Sequence, residues 1–290
     1  MHTITAHGMA MPKLGLGTWR LSGDDCTTAV LGALERGYRH IDTAQMYGNE
    51  DAVGAALAAT PVKRADIHLT TKVWWENLAP DAMRRAMDAS LKQLQTGYVD
   101  LYLIHWPAPD MDLAAALAQL VRFKEEGLAR HIGVSNFPVA LLKRALEEIQ
   151  APLACNQFEY HVLLDQRKLV AYARSRGLAV TAYCPLAQGR LADHPELGAI
   201  ARKHGCTPAQ VALCWLLSQD GVAAIPKAGR AESQLANLAA LDVKLDDADR
   251  AAIAALPKDQ RFVSPGFAPA WDAPALGAVA WDEVAWDAVA

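Results

Sequence analysis

With 290 residues, 52% of them hydrophobic, the chain can form one large domain or two small ones around a sizeable core. Its net charge of -4 supplies no strong basic field, so nucleic acid is not an expected partner and any anion site must be local. Five cysteines without a C-x-x-C pair and nine histidines without an H-x-x-x-H pair argue against a disulfide framework and a metal site, and fit reduced thiols in a cytoplasmic protein. The first residues lack the basic-then-apolar layout of a signal peptide, and no apolar run approaches the roughly 20 residues that span a bilayer.

In chain order, residues 3–12 read as a small hairpin lid turning near Ala6-His7-Gly8, and 14–18 as a short strand. Asp24 or Asp25 caps a helix through Val30, Leu31 and Leu34, with Gly37 just past its end. A strand at 38–41 and a helix at 50–59 follow, then a strand at 67–71 and an amphipathic helix at 81–94. Residues 99–104 form the clearest buried strand, and 113–125 a helix ended by Gly127. The alternation continues with strands at 131–134, 153–158, 178–182 and 222–225. Helices are expected at 138–149, 167–175, 196–203, 208–217 and 233–241.

Eight parallel-type strands with intervening helices and no composition break predict an α/β fold, a single (β/α)8 TIM barrel, whose usual size is about 250 residues. A doubly wound sheet is the alternative, but Gly15-Leu16-Gly17 lacks the third glycine that it needs. The barrel core covers about residues 13–256, including an extra helix at 246–256, and an irregular loop and tail follow at 257–290. Within it, residues 261–271 are rich enough in aromatics and proline for a packed loop, while the terminal Ala-Trp-Asp repeat reads as a surface tail.

The polar residues at the strand ends carry the functional argument. Asp42, Lys72, His105, Asn136 (after Ser135), Gln157, Tyr183 and Lys227 each follow a predicted strand. In a (β/α)8 barrel those ends converge on the face that hosts active sites. Tyr47, on the loop after Asp42, is a candidate proton donor. A free phenol has a pKa of about 10, and a nearby ammonium such as Lys72 would lower it, with Asp42 orienting the lysine. His105 can donate to a substrate carbonyl oxygen. With no nucleophile elbow and no carboxylate pair, the reducing equivalents must come from a cofactor. Tyr183 suits stacking on a nicotinamide ring, Asn136 and Gln157 suit its carboxamide, and Pro226-Lys227-Ala228-Gly229-Arg230 offers cations and amides to phosphate. Trp19, Trp75 and Trp106 follow three strands on the same face and, with Tyr47 and His105, would line a pocket for a small carbonyl compound.

Several of these stretches together resemble the aldo-keto reductase family over nearly the whole chain. They are Gly15-Leu16-Gly17-Thr18-Trp19, Gly37-Tyr38-Arg39-His40-Ile41-Asp42-Thr43-Ala44 with Glu50 and Val53-Gly54, Thr71-Lys72, Leu103-Ile104-His105-Trp106-Pro107, Gly133-Val134-Ser135-Asn136-Phe137, Asn156-Gln157 and Ile225-Pro226-Lys227. The resemblance implies a catalytic tetrad of Asp42, Tyr47, Lys72 and His105. It implies nicotinamide contacts from Ser135, Asn136, Gln157 and Tyr183. Further cofactor contacts are implied for Gly17, Thr18, Asp42, Pro185, Leu186, Gln188, Ile225, Pro226, Lys227, Ala228, Gly229, Arg230, Gln234 and Asn237. Trp75-Glu76-Asn77-Leu78 and Val263-Ser264-Pro265 are similar to a bacterial branch that reduces methylglyoxal and keto-sugar acids such as 2,5-diketo-D-gluconate.

The pattern departs after Lys227. Relatives commonly carry serine next and arginine six residues beyond the lysine, where this chain has Ala228 and Ser233. Arg230 is expected to replace that arginine, giving NADPH preference with NADH as a secondary cofactor. A monomer without membrane attachment is expected. A non-catalytic nicotinamide-sensing module of the same fold is the alternative, and a reduction assay with methylglyoxal separates the two.

Overall fold

A period of two along each strand sends alternate side chains into a barrel and out toward a coat of helices. The computed structural model describes residues 2–274. A hairpin of β1 (Thr3–Ala6) and β2 (Met9–Pro12) precedes β3 (Leu16–Gly17), α1 (Gly23–Glu35), β4 (His40–Asp42), α2 (Glu50–Ala59) and β5 (His68–Val73). Next come α3 (Pro80–Gln93), β6 (Val99–Ile104), α4 (Leu113–Glu125), β7 (Ala129–Ser135), α5 (Val139–Lys143) and β8 (Cys155–Glu159). The last elements are α6 (Arg167–Ser175), β9 (Ala179–Tyr183), α7 (Pro195–His204), α8 (Pro208–Leu217), β10 (Val222–Ala224), α9 (Ala231–Ala239) and α10 (Asp247–Ala254).

The eight strands β3 to β10 lie in sequence order, and each neighbouring pair is parallel. Parallel bridges Leu14↔Ala224 and Gly17↔Lys227 join the first strand to the last and close the (β/α)8 barrel. Gly17 permits that seam, since a Cβ there would sit 2.5 Å from the Ile225 carbonyl oxygen. The first strand is shorter than its sequence pattern predicts. Leu16 and Gly17 pair with β4, whereas Gly15 and Gly17 donate backwards across the seam to Ala224 and Pro226. β8 starts at Cys155 rather than at 153, because the Leu153 amide closes a tight turn onto the Ala151 carbonyl.

Two apolar bodies result. Ile41, Leu69, Val73, Tyr102, Ile104, Ile132 and Val134 face outward into the large core beneath the helices. Leu101, Leu103, Cys155, Ala179 and Ala223 face inward and meet Ile4, Ala6, Met9 and Met11 of the hairpin. The hairpin is therefore a floor at the amino-terminal end of the barrel, not a lid over the strand ends where the ionisable residues gather. Among the described residues no helix is long and apolar enough to cross a membrane.

His40 and His68 stand on that floor, side by side on β4 and β5, with ring centroids 4.9 Å apart. His40 Nδ1 lies 3.1 Å from the Pro12 carbonyl oxygen. Burial pushes the pKa of His40 below its ordinary value and that of His68 well below it, with His40 and His131 adding to the depression at His68. The folded protein thus keeps both rings neutral where the unfolded chain takes up protons. This contribution to stability is complete above the unfolded pKa of about 6.5 and is lost as pH falls below it. The urea midpoint should therefore drop between pH 7.5 and 5.5, and a flat midpoint would remove the histidines from the stability account.

Candidate active site

The strand ends assemble the site from residues far apart in sequence. Asp42 ends β4, and Lys72 lies in phase with it on β5, each almost fully buried. Lys72 Nζ donates to Asp42 Oδ1 at 2.5 Å and to the Thr43 carbonyl oxygen at 2.8 Å. Gln157 Nε2 donates to Asp42 Oδ2 at 2.8 Å, so both carboxylate oxygens are engaged. Burial alone would drive Lys72 toward the neutral amine, but the charge and hydrogen bond of Asp42 oppose it and the pKa moves above the ordinary lysine value. The ammonium is a fixed charge at neutral pH.

Tyr47 is the last residue of a single 3-10 turn, Gln45–Tyr47, ended by Gly48 in the left-handed region. Its hydroxyl is 3.5 Å from Lys72 Nζ, long for a hydrogen bond, so the coupling between them is mainly through charge. The sequence suggests a lowered phenol pKa. The direction in the folded protein is the reverse, because burial raises it more than Lys72 lowers it. Tyr47 therefore holds its proton securely, and the ammonium limits the cost of releasing it.

Side chains of the signature stretch that take no part in the chemistry build this loop. Thr43 Oγ1 donates to Asn49 Oδ1 at 2.7 Å, and Asn49 Nδ2 donates to the carbonyls of Thr18 and Leu21 at 3.0 and 2.8 Å. Glu50 is buried on α2 and accepts from Thr71 and Ser90 hydroxyls, with burial holding its pKa above the ordinary range. Gln45 Oε1 accepts from the Trp74 amide at 3.0 Å, tying the tyrosine loop to the loop after β5.

His105 follows β6, 5.6 Å from the Tyr47 ring and 5.3 Å from the Trp74 ring. Burial, reinforced by the Lys72 charge, pushes its pKa well below the ordinary histidine value. A neutral imidazole has one N–H to give, which suits a hydrogen bond to a substrate oxygen. Trp19 lies tilted against Tyr47, with ring centroids 4.9 Å apart. Trp106 meets Phe267 and Trp271, at 5.6 and 6.0 Å. Trp75, expected in the wall, lies tilted against Phe267 at 4.8 Å, and Trp74 takes its place beside His105. The alternation explains the exchange, since Lys72 and Trp74 are in phase and Trp75 is not. Phe267, which sequence reasoning passed over, reaches the mouth from residues 257–274. The terminal Ala-Trp-Asp repeat lies outside the described residues.

A second polar group adjoins the tetrad. Ser135, Asn136 and Gln157 are buried, and Tyr183, at the end of β9, is half-exposed. Asn136 has φ +63°, a left-handed conformation that asparagine tolerates. It donates to the His105 carbonyl at 3.0 Å and accepts from the Tyr183 hydroxyl at 2.7 Å. Uncharged amides and a hydroxyl beside a phenol ring fit a nicotinamide carboxamide by donor type. Lys227 and Arg230 are exposed and form no ion pair among the described residues, and Arg230 is the N-cap of α9. Cations at a helix amino terminus fit phosphate. Thr18, Pro185, Ile225, Pro226 and Ala228 are buried around this edge, Leu186 is half-buried, and Gln188 and Gly229 are exposed. Gln234, in contrast, turns inward. Its amide donates to the Ala29 and Ala228 carbonyls at 2.9 and 3.0 Å, so its place is structural. Asn237 is likewise buried.

A buried ammonium–carboxylate pair beside a protonated phenol and a neutral histidine, on the carboxyl face of a (β/α)8 barrel, defines a carbonyl-reducing class of protein. Residues 13–258 match the profile described as the Aldo/keto reductase family. Methylglyoxal reductase DkgB of Escherichia coli O157:H7 is 44% identical over 268 residues, covering 91% of this chain and 100% of that protein. Aldo/keto reductase slr0942 of Synechocystis is 38% identical and covers 90% of each chain. A crystal structure described as a candidate 2,5-diketo-D-gluconic acid reductase B superposes with a TM-score of 0.91 at 41% identity, covering 94% of this chain and 98% of the other. The chain belongs to the aldo/keto reductase family.

Proposed function

We propose that the protein reduces small aldehydes and ketones, dicarbonyls such as methylglyoxal and keto-sugar acids among them, with NADPH as reductant and Tyr47 as proton donor. The observation that carries this reading is the Asp42–Lys72 pair held beside the protonated Tyr47 hydroxyl, with neutral His105 facing the same space. When bound, the nicotinamide supplies the hydride. Ser135, Asn136 and Gln157 would hold its carboxamide, Tyr183 would support its ring, Lys227 would bind the cofactor's phosphates, and Arg230 the adenosine 2'-phosphate that NADH lacks. His105 orients the substrate carbonyl oxygen. Tyr47 gives that oxygen its proton, and Lys72, anchored by Asp42, stabilises the phenolate left behind. The similarity to methylglyoxal reductase and 2,5-diketo-D-gluconic acid reductase proteins supports the substrate range.

The test is a carbonyl panel of methylglyoxal, 2,5-diketo-D-gluconate and an aromatic aldehyde, assayed with both NADPH and NADH. Turnover with NADPH is expected, and none with any carbonyl would sink the reading. Cofactor choice is tested in Arg230→Ala. Losing one charge-assisted contact should lower kcat/KM for NADPH roughly tenfold and leave the NADH value near wild type. Equal efficiency with the two cofactors, unchanged in Arg230→Ala, would overturn the NADPH assignment.

A further inference from the structure

Glu159 is a fully buried carboxylate that the proposed chemistry does not use. It ends β8 in phase with Gln157 and lies opposite Tyr183 in the sheet. Its oxygens are spent on the chain that crosses the barrel mouth. Oε1 accepts from the Phe262 amide at 2.7 Å and Oε2 from the Val263 amide at 2.9 Å. His161 Nε2 is 3.0 Å from Oε1, and its ring stacks on Phe262 at 5.2 Å. Arg261 Nη1 approaches Oε2 at 3.9 Å, while its guanidinium lies 3.8 Å from the centre of the Trp271 ring.

Five residues further along, Phe267 stands among Trp74, Trp75 and Trp106, with ring centroids 4.8 to 5.6 Å away. Beyond it, Asp272 Oδ2 accepts from the Val139 amide at 3.0 Å. Phe267 is thus carried on a span pinned at one end by Glu159 and at the other by Asp272. A buried carboxylate needs its donors as much as they need it. The backbone amides at 262 and 263 cannot serve it unless the span lies in this one register.

We propose that Glu159 is a positioning residue, a latch that fixes residues 261–272 across the mouth and thereby places Phe267 as the outer wall of the carbonyl pocket. The latch acts on the substrate side of the site. Asp42, Lys72 and Tyr47 do not touch it, so it governs how the substrate is held and not how the proton moves. The substrate part of this inference rests on the reductase reading above. The latch itself does not.

The test is Glu159→Gln in the full-length protein. The amide keeps one acceptor and turns an NH2 toward a backbone N–H, so one of the two main-chain bonds is lost. Hydrogen exchange without any cofactor should show the Phe262 and Val263 amides exchanging roughly tenfold faster, the effect of losing one bond to a charged group. With NADPH, KM for an aromatic aldehyde should rise roughly tenfold while kcat is largely retained, the signature of lost binding that is common to ground and transition states. Phe267→Ala should raise KM in the same way without accelerating exchange at 262 and 263. Unchanged exchange in Glu159→Gln overturns the latch. Accelerated exchange with unchanged KM overturns its role in the pocket. If the wild-type protein reduces no carbonyl, the reductase reading fails while the exchange result still decides the latch. Should Glu159→Gln not fold, wild-type protection at Phe262 and Val263 as strong as at the β8 amides supports the latch, and fast exchange there refutes it.

Discussion

Tyr47→Phe is expected to lower kcat by about a thousandfold, within the range that general acid catalysis contributes, while leaving cofactor affinity intact. The substitution removes only the hydroxyl. The ring keeps its contacts with Trp19 at 4.9 Å and His105 at 5.6 Å, and it pins nothing else with its oxygen beyond the long approach to Lys72. Burial raises the Tyr47 pKa above the ordinary phenol value, so the phenol is in its donor form at neutral pH. No other group competes as the acid at that position, since Lys72 turns its N–H groups to Asp42, the Thr43 carbonyl and the Tyr47 oxygen, and the N–H of a neutral His105 is a far weaker acid than a phenol. Fluorescence titration with NADPH and steady-state kinetics with methylglyoxal check both halves. Residual turnover above roughly a tenth of wild type would remove Tyr47 from the role, because an acid catalyst contributes at least about a hundredfold.

Lys72→Met is expected to cost both activity and stability. The lysine side chain is fully buried and its partner carboxylate is 1% exposed. Removing one member of such a pair strands the other, at a cost of about 3–5 kcal/mol. For a protein of this size each kcal/mol corresponds to roughly 2–4 °C in Tm, so a fall of about 10 °C should be seen by calorimetry. Activity falls too, because Tyr47 loses the charge that offsets the burial of its phenolate. The double variant Asp42→Asn with Lys72→Met separates the two effects. It removes the stranded charge yet keeps an oxygen for Gln157 Nε2, so Tm should recover most of its loss while turnover stays low. A single Lys72→Met variant as stable as wild type would mean that the pair is solvated, contrary to its burial.

Much of this site was legible in the sequence because a parallel barrel makes strand ends meaningful. Asp42, Lys72, His105, Asn136 and Gln157 could be placed on one face from the rhythm of apolar runs alone, and the fold brings all five together. Phase along a strand was also readable. It favours Trp74 over Trp75, a distinction that depends on a single residue and that a motif match does not weigh. Gln234 shows the opposite limit. The family resemblance implies a cofactor contact there, and only the approach of α1 and the loop after β10 reveals two carbonyls that use its amide.

What the sequence by itself determined is the alternation of strands and helices, the closed parallel barrel and the identity of the four groups that meet at its mouth. Local periodicity and the right-handed parallel connection leave few other arrangements for such a chain. What only the tertiary structure decided is the balance of forces on those groups. Lys72 keeps its charge through Asp42 although burial opposes it, and Tyr47 keeps its proton through burial although Lys72 opposes it. The placement of Phe267 was also beyond the sequence, since it depends on a carboxylate at residue 159 finding amides more than a hundred residues away. Desolvation and long-range main-chain bonding have no period along the chain, so they exist only once the fold is closed.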